Sequence, residues 1–287
     1  MTPSPKSLIL DLLSSLQRGT VPVRRLVKAA QLFGIEENSL RVALARLHRA
    51  RLVERDERGR YGLGPQAQAI NHQVTAWRTL EARMRPWRGG WIAVQTAACS
   101  RSDRPALRRR TRALNFLGFR ELVAGLEVRP NNLTGGVVAV RSQLRALELE
   151  APVFGLSELG EGDERRARGL WNIRALYAGY AATRRELDES AERLRQLERP
   201  GAMVESFLCG GRAIRRLVLD PLLPEPIAPA APRRALVETM RRYDRLGRAC
   251  WADYLGVSPA VHRSTPANLS SLGVSRHLAV AAPGESI

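Results

Sequence analysis

Apolar residues recur at helical spacing over most of this chain and at strand spacing in a few short runs. The first helical pattern covers Ser7–Gln17, where leucine and isoleucine repeat behind a serine suited to cap a helix. Two more helical patterns follow, PVRRLVKAAQLFG and EENSLRVALARLHRA, with a break at Gly34-Ile35 between them. The run LVERDERGRYGLG then predicts two short strands joined by a turn at Asp56–Gly59. Three helices followed by a charged hairpin predict a winged helix-turn-helix domain over residues 1–64.

One face of the helix predicted over Glu36–Ala50 is apolar, and the opposite face is polar. Leu40, Leu44 and Leu47 are four and three residues apart, so they form one stripe for burial. The opposite side carries Asn38, Ser39, Arg41, Val42, Ala45, Arg46 and Arg49. Small residues there allow close approach to a major groove, and amide or guanidinium groups read base edges or bind phosphates. We therefore predict that four of these residues read bases and that the two later arginines, Arg46 and Arg49, contact phosphates. The four are Asn38, Ser39, Arg41 and Val42.

The predicted hairpin is a second candidate contact with nucleic acid. Its arginines are Arg55, Arg58 and Arg60. They could reach the minor groove or a phosphate. Acidic residues lie beside them at Glu54, Asp56 and Glu57, so a hairpin that neutralises its own charge is the alternative. For the helix, the corresponding alternative is a small helical subdomain whose arginines are simply solvated.

Beyond the hairpin, the period of the apolar residues changes several times. A helical stripe over Gln66–Arg85 predicts a connecting helix, and the stretch that follows reads β-α-β-β-α-β, the order of a ferredoxin-like unit. Within it, Val137–Leu149 is predicted to be a strand end that runs into a helix. The last part is helical, with a break at Pro200-Gly201. The predicted domains of this α+β chain are residues 1–64 (winged helix-turn-helix), 65–88 (connecting helix), 89–160 (ferredoxin-like), 161–255 (helical) and 256–287 (mobile tail).

The charge of the chain favours a polyanionic partner. The net charge is +18 and the pI is near 11.3. Of the 46 basic residues, only Lys6 and Lys28 are lysine, an imbalance that a GC-rich coding background also explains. Residues 1–88 hold 16 basic and 7 acidic side chains, a net charge of +9, so half of the excess lies in less than a third of the chain. This enrichment supports nucleic-acid binding more than the total charge does.

Other classes of protein receive little support from the sequence. The three cysteines and four histidines are scattered without disulfide or zinc spacing, and no GxGxxG, P-loop, GxSxG or HExxH motif occurs. The amino-terminal segment lacks the apolar core of a signal peptide, and no apolar run approaches the ~20 residues of a membrane span. We therefore expect a cytoplasmic protein that is not an enzyme and that uses no metal or cofactor.

Six segments, taken in order, resemble the PaaX family of bacterial transcriptional repressors over roughly residues 7–255. They are SLILDLL, FGI followed by SLRVALARL, WRGGW, RALNFLGFRELVAGLEVRPNNL, LWNIRALYAGY and RRLVLDPLLP. The resemblance implies a winged helix, a central ferredoxin-like domain similar to the CRISPR-associated Cas2 fold, and a helical carboxy-terminal domain. It also implies a homodimer that represses an aromatic-degradation operon at a palindromic operator in double-stranded DNA. Release would come from a coenzyme A thioester, which is phenylacetyl-CoA in the founding group.

The chain departs from this family at the start of the predicted recognition helix. Glu36 stands where the family ordinarily has Ser or Thr as the helix cap, and glutamate is a weaker cap that adds a negative charge near the DNA.

Two alternative functions stay open beside the repressor. A basic protein that binds nucleic acid without sequence preference would be separated from a repressor by its salt response and by competition with random DNA. A Cas2-like nuclease would need carboxylates to hold a divalent ion. The first central strand supplies none, since it continues as Gln95-Thr96-Ala97 and the nearest acidic residue is Asp103.

Two groups of residues are candidates for binding an effector. The run Arg108-Arg109-Arg110-Thr111-Arg112 could hold the diphosphate of coenzyme A, because guanidinium groups pair well with phosphate. Trp171, Tyr177 and Tyr180 could stack on an aromatic group. The sequence favours a solvated helix face for the first group and a core position for the second, so no effector-binding residue is assigned.

Overall fold

A computed structural model describes residues 3–14, 20–65, 67, 76–97 and 103–255. Helices and two small antiparallel sheets make up these residues, which confirms the predicted α+β class. The helices are α1 (Pro5–Ser14), α2 (Val23–Gln31), α3 (Glu37–Arg49), α4 (Arg104–Phe116), α5 (Gly136–Ala146), α6 (Glu161–Arg168), α7 (Ile173–Gln196), α8 (Arg199–Val218) and α9 (Ala231–Leu255). The strands are β1 (Val21–Pro22), β2 (Val53–Arg55), β3 (Arg60–Leu63), β4 (Trp91–Gln95), β5 (Arg120–Val123), β6 (Leu126–Pro130) and β7 (Val153–Leu156). The tail predicted to be mobile, residues 256–287, lies outside the described residues.

The chain divides into two compact units that are each discontinuous in sequence. The first contains Met1–Arg78, Ala182–Leu217 and Leu236–Ile287, and the second contains Thr79–Ala181 and Val218–Ala235. The helices that follow the central sheet therefore contribute to both units. The domain boundaries predicted from the sequence stay a prediction. They divide the chain into contiguous segments, whereas the two compact units are defined by which residues pack together.

The first unit contains α1, α2, α3 and a three-stranded sheet, the elements predicted to form a winged helix and called the winged helix below. The strand order is β1-β3-β2, antiparallel throughout, with Val53 opposite Leu63 and Val21 opposite Tyr61. Gly59 takes a φ of +72° in the turn between β2 and β3, a backbone conformation that favours glycine. The order of elements is the one expected from the pattern of apolar residues: three helices and then a hairpin.

Helix α3 is fixed in place by its apolar stripe. Leu40, Leu44 and Leu47 are each at most 2% exposed and belong to the same core cluster as the leucines of α1 and Leu26 of α2. Burial of each such side chain contributes ~1.5–3 kcal/mol. Because the stripe is buried, the rotation of α3 about its own axis is set, and so is the face it turns outward.

The carboxy-terminal helices complete the core of this first unit. Met203 and Phe207 of α8 and Trp251 of α9 are fully buried in the same cluster as the winged helix. The ring centroid of Phe207 lies 4.9 Å from that of Phe33 and 6.2 Å from that of Trp251. The guanidinium of Arg25 donates a hydrogen bond to the carbonyl of Tyr254. The winged helix therefore does not close its core with its own residues alone.

The second unit contains a four-stranded antiparallel sheet in the order β5-β6-β4-β7. The chain order β4-α4-β5-β6-α5-β7 is the β-α-β-β-α-β order predicted from the sequence for a ferredoxin-like unit, and that name is kept for these elements below. The four residues from Trp91 to Val94 on β4 are each at most 1% exposed, so both faces of this central strand are covered. Trp91 stacks on Trp171 with ring centroids 6.2 Å apart and ring planes within 8°.

A buried arginine joins the second sheet to two loops. Arg129 of β6 is 2% exposed, and its guanidinium donates hydrogen bonds to the carbonyls of Leu117, Pro130 and Pro221 and to the side-chain oxygen of Asn132. Burial, together with the nearby charge of Arg83, lowers the pKa of this group to about 9, against the opposing effect of the carboxylate of Asp220. The carbonyl dipoles and the nearby carboxylate of Asp220 therefore stabilise the buried charge.

The cap of the first helix differs from the sequence prediction. Helix α1 begins at Pro5, and the backbone N–H of Ser7 donates to Oγ of Ser4 over 3.2 Å. Ser4 is therefore the capping residue, and Ser7 lies inside the helix. Proline is favoured in the first helical turn, since the N–H that it lacks would have no partner there. The helix therefore begins at Pro5, two residues before the predicted start at Ser7.

Three later elements also differ from the sequence prediction. Of the connecting helix predicted over Gln66–Arg85, residues 76–79 and 81–83 form two short 3-10 turns and most of the rest lies outside the described residues. The β-branched residues at the start of Val137–Leu149 lie in helix α5, not in a strand end. Pro200-Gly201 occupies the first turn of α8, so the helical run breaks just before it.

Candidate nucleic-acid interface

Helix α3 turns its predicted DNA-reading face to the outside of the protein. All seven predicted residues of this helix are exposed: Asn38, Ser39, Arg41, Val42, Ala45, Arg46 and Arg49. Val42 is 43% exposed, unusual for a large apolar side chain. The buried leucine stripe lies on the opposite side of the same helix. The structure thus brings the predicted contact residues together on one surface, and their role in binding stays a prediction.

The arginines of this face differ in what they contact. The guanidinium of Arg41 pairs with the carboxylate of Glu37 at 2.6 Å, one helical turn earlier, and both side chains are about half exposed. A pair of this kind contributes only ~0.3–0.5 kcal/mol, so it is easily exchanged for another partner. Among the described residues, neither Arg46 nor Arg49 forms an ion pair. These two charges are free to meet a polyanion.

The amino-terminal end of α3 lacks a side-chain cap. Glu36 occupies the cap position in an extended conformation, and its side chain makes no capping hydrogen bond. This agrees with the weak cap expected from the sequence. The first backbone N–H groups of α3 therefore remain open on the same end of the helix that carries Asn38 and Ser39.

The wing is ordered by an aspartate and not by ion pairs with its arginines. Oδ1 of Asp56 accepts hydrogen bonds from the backbone N–H groups of Arg58 and Arg60, at 3.1 and 2.8 Å. Among the residues that the structure describes, no wing arginine forms an ion pair with the acidic residues beside it. Arg55 and Arg58 are exposed.

Arg60 has a structural partner that the sequence did not suggest. Its Nε donates to Oγ1 of Thr20 over 2.8 Å, and its Nη2 donates to the carbonyl of Thr20 over 2.6 Å. These bonds tie β3 to the segment that leads into β1. Contact with DNA by Arg60 stays a prediction, and such contact would have to share this guanidinium with Thr20.

One group of residues beside this face was not predicted from the sequence. A groove of about 460 Å³ lies between the amino-terminal turn of α1 and one flank of α3. Ser4, Pro5 and Lys6 line it from α1, together with residues of α3 that include Ser39 and Arg46. One signal pointed to this turn: Lys6 is one of only two lysines in a chain whose other basic residues are all arginine.

The three aromatic residues that could stack on an effector make contacts within the fold. Trp171 and Tyr180 are buried, and Tyr180 donates a hydrogen bond to Asp220. Tyr177 donates to the carbonyl of Pro229 over 2.9 Å. Trp171 and Tyr180 therefore occupy the core position that the sequence favoured, whereas Tyr177 is only partly buried.

The arginine run of α4 borders a cavity of mixed charge in the second unit. This cavity, of about 530 Å³, is lined by Arg110 together with Glu121 and Glu127. Burial raises the pKa of Glu127, and the nearby Glu121 raises it further, against the opposing effect of Arg120 and Arg110. Two carboxylates facing one guanidinium do not favour a diphosphate group.

Two further observations concern metal ions and membranes. Within the described parts of the chain, no group of three or more His, Cys, Asp or Glu side chains is arranged to hold a metal ion. None of the described helices is long and apolar enough to cross a membrane.

Comparison with known proteins finds one family model, which matches the winged helix, and a similar fold among solved structures. The sequence model of the PaaX family, described as PaaX-like protein, matches residues 4–65. No curated protein matches the chain. A solved structure, uncharacterized protein Rv0674 from Mycobacterium tuberculosis, is similar in fold, with a TM-score of 0.58 and 21% sequence identity over 88% of this chain and 99% of that one. The fold is thus shared over nearly the whole chain, and the family match covers α1 through β3.

Proposed function

Because residues 4–65 are PaaX-like, we propose that this protein is a transcriptional regulator that reads double-stranded DNA with helix α3. The observation that carries the proposal is the outward face of α3, opposite a stripe of three buried leucines. That face combines an amide, guanidinium groups and small side chains, which suits a helix lying in a major groove.

The residues of the interface have separate roles in this proposal. Asn38 and Arg41 reach base edges, because they stand in the amino-terminal half of α3. Arg46 and Arg49 contact phosphates and set the register of the helix on the duplex. Arg55 and Arg58 of the wing reach the adjacent backbone or minor groove, while Arg60 keeps the wing attached at Thr20. The free charges of the face supply the affinity that falls as salt rises.

We further propose that the protein acts as a homodimeric repressor at a palindromic operator. Two copies of α3 would enter successive major grooves, with half-sites one helical turn or a multiple of it apart. The controlled genes would form a catabolic operon, as the resemblance to the family implies. A coenzyme A thioester such as phenylacetyl-CoA would release the repressor by binding more tightly to the arrangement that does not bind DNA.

The experiment that tests this function is DNA binding measured by fluorescence anisotropy. The purified protein is titrated into its own upstream intergenic DNA with an excess of random competitor, with and without phenylacetyl-CoA. Binding that survives the competitor supports a specific regulator, and its loss on adding the thioester supports the proposed effector. Binding that survives in both conditions keeps the regulator and removes this effector.

A second candidate function is charge-driven binding without sequence preference, which the net charge of +18 favours. In that case the random competitor would remove all binding to the intergenic DNA. That result would overturn the regulator and leave a basic nucleic-acid-binding protein.

A further inference from the structure

The groove beside helix α3 has the size of a small-molecule site. Its volume of about 460 Å³ falls within the range of ordinary ligand pockets, ~300–1,000 Å³. One wall is the amino-terminal turn of α1, from Ser4 to Lys6, and the other is a flank of α3 from Ser39 to Ala50. Both walls belong to the first unit of the chain.

The floor of the groove is apolar. Val42, Ala43, Leu47 and Ala50 of α3 line it, together with Leu52. Leu47 and Leu52 are at most 2% exposed as parts of the winged-helix core, so the apolar surface open to a ligand is mainly that of Val42, Ala43 and Ala50. A floor of this kind gains free energy when it covers a hydrocarbon chain or ring, and it gains nothing from an inorganic ion.

Two positive charges, those of Lys6 and Arg46, stand at the groove. Lys6 is partly buried, and this burial lowers the pKa of its ammonium group. Neither Lys6 nor Arg46 forms an ion pair with any residue that the structure describes. A partly desolvated cation without a counter-charge is stabilised by any anion that enters beside it.

We propose that this groove binds a small organic anion, with the acidic group between Lys6 and Arg46 and an aryl or alkyl body on the apolar floor. The charge of the two cations selects an anion over a neutral molecule. The floor selects an amphipathic anion over a bare phosphate or sulfate. The carboxylate accepts hydrogen bonds from the ammonium and guanidinium groups, which are stronger than bonds between neutral partners.

The site overlaps the face that α3 offers to DNA, and the regulatory consequence therefore rests on the proposed function. Ser39, Val42 and Arg46 belong both to the groove and to the predicted reading face. A ligand seated on them occupies the space and the charge that DNA requires, so the two compete. Competition is reciprocal: the apparent dissociation constant for DNA rises by the factor 1 + [ligand]/Kd.

The test is calorimetric titration of the full-length protein with 4-phenylbutyrate at constant ionic strength, in the absence of DNA. Its neutral counterpart 4-phenylbutanamide and inorganic phosphate serve as comparison probes. We expect one site for 4-phenylbutyrate and much weaker binding of the other two probes. The Lys6→Glu variant should bind about tenfold or more weakly, the loss expected for one charge-assisted hydrogen bond. Lys28→Glu makes the same charge change at an exposed position of α2 and should bind like the unaltered protein.

A second variant tests the apolar floor independently of charge. Ala43→Met adds volume inside the groove and should weaken 4-phenylbutyrate binding while the far-ultraviolet circular dichroism stays unchanged. The site is overturned if phosphate or the amide binds as tightly as 4-phenylbutyrate, if Lys6→Glu and Lys28→Glu bind alike, or if no binding occurs at millimolar concentration.

The same probe added to a DNA titration separates this proposal from the proposed function. Specific DNA binding that weakens with 4-phenylbutyrate by the factor expected from calorimetry, in the unaltered protein and not in Lys6→Glu, supports both. If the apparent dissociation constant for specific DNA does not change when 4-phenylbutyrate is bound, the proposed competition is wrong. Lys6-dependent anion binding in a protein without specific DNA binding keeps the site and removes the regulator.

Discussion

The Nη2 atom of Arg41 lies 2.6 Å from Oε1 of Glu37 on the exposed side of helix α3. The pair joins a residue proposed to read bases to a carboxylate that DNA would repel. Because both side chains are about half exposed, the pair stabilises α3 by only a few tenths of a kcal/mol. The ion pair with Glu37 keeps the guanidinium of Arg41 on the exposed face of α3. A base in the proposed complex would compete with this carboxylate for the same guanidinium, and the carboxylate is a weak competitor.

Replacement of Glu37 by glutamine should tighten DNA binding several-fold. The change frees Arg41 and removes one negative charge from the interface, while the stability of the fold changes little. Titration of labelled intergenic DNA measures the effect. Glu36→Gln is the matched control, because it makes the same charge change at a residue that does not pair with Arg41. Equal effects of the two variants would contradict a specific role for the pair.

Replacement of Phe207 by alanine should destabilise the winged helix by ~3–5 kcal/mol, although α8 is remote from it in sequence. The reason is that Phe207 is fully buried between Phe33 and Trp251. Urea unfolding followed by tryptophan fluorescence reports this directly. The control Leu197→Ala changes a side chain that is 43% exposed and should shift stability by less than ~0.5 kcal/mol. Similar losses in both variants would refute the shared core.

That shared core shows what the sequence could predict and what it could not. The leucine stripe of α3 and the Asp56–Gly59 turn are local signals, and from them the positions of α3, of the hairpin and of the exposed face of α3 could be predicted. That this face reads DNA stays a prediction. Packing of α8 and α9 on the winged helix depends on contacts distant in sequence. The apolar stripes of α8 and α9 indicate that each helix buries one face, but they do not show which other element that face packs against.

The wrong predictions have local physical causes as well. The β-branched run at Val137 and Val138 suggested a strand, yet Val140 and Leu144 are buried four residues apart, so the tertiary contacts favoured helix α5. Ser7 looked like a cap because the sequence does not show that Pro5 begins the helix. Lys6 was overlooked because a groove between two helices leaves no periodic signal.

Replacement of Arg129 by methionine should destabilise the ferredoxin-like unit by several kcal/mol. The change leaves buried carbonyls of Leu117 and Pro221 without donors, and each such loss costs ~1–3 kcal/mol. Arg129→Lys should rescue little, because one ammonium cannot match the geometry of a guanidinium. Thermal unfolding measures both variants. Arg141→Ala, which removes a single half-buried hydrogen bond to Val153, provides the comparison. Stability unchanged in Arg129→Met would contradict the role of the buried charge.

Replacement of Glu127 by glutamine should change how stability depends on pH. The pKa of this carboxyl is raised by burial and by Glu121, so the folded protein holds the proton more tightly than the unfolded chain does. Its contribution to stability is full below the ordinary pKa near 4.5 and is lost as pH rises through the higher folded value. The variant should therefore gain stability over the unaltered protein as pH rises through this window. Urea unfolding across the window measures the difference, and a constant difference would contradict the shift.

The most direct test of the central claim is footprinting of the upstream intergenic DNA with the unaltered protein and with Arg41→Ala. We predict two protected half-sites related by a dyad and separated by one helical turn or a multiple of it. Arg41→Ala should lose the preference for these sites by ~1–3 kcal/mol while keeping its fold. Arg49→Ala should weaken binding to specific and random DNA alike. Protection by Arg41→Ala equal to that of the unaltered protein, or protection spread evenly along the DNA, would contradict recognition by α3.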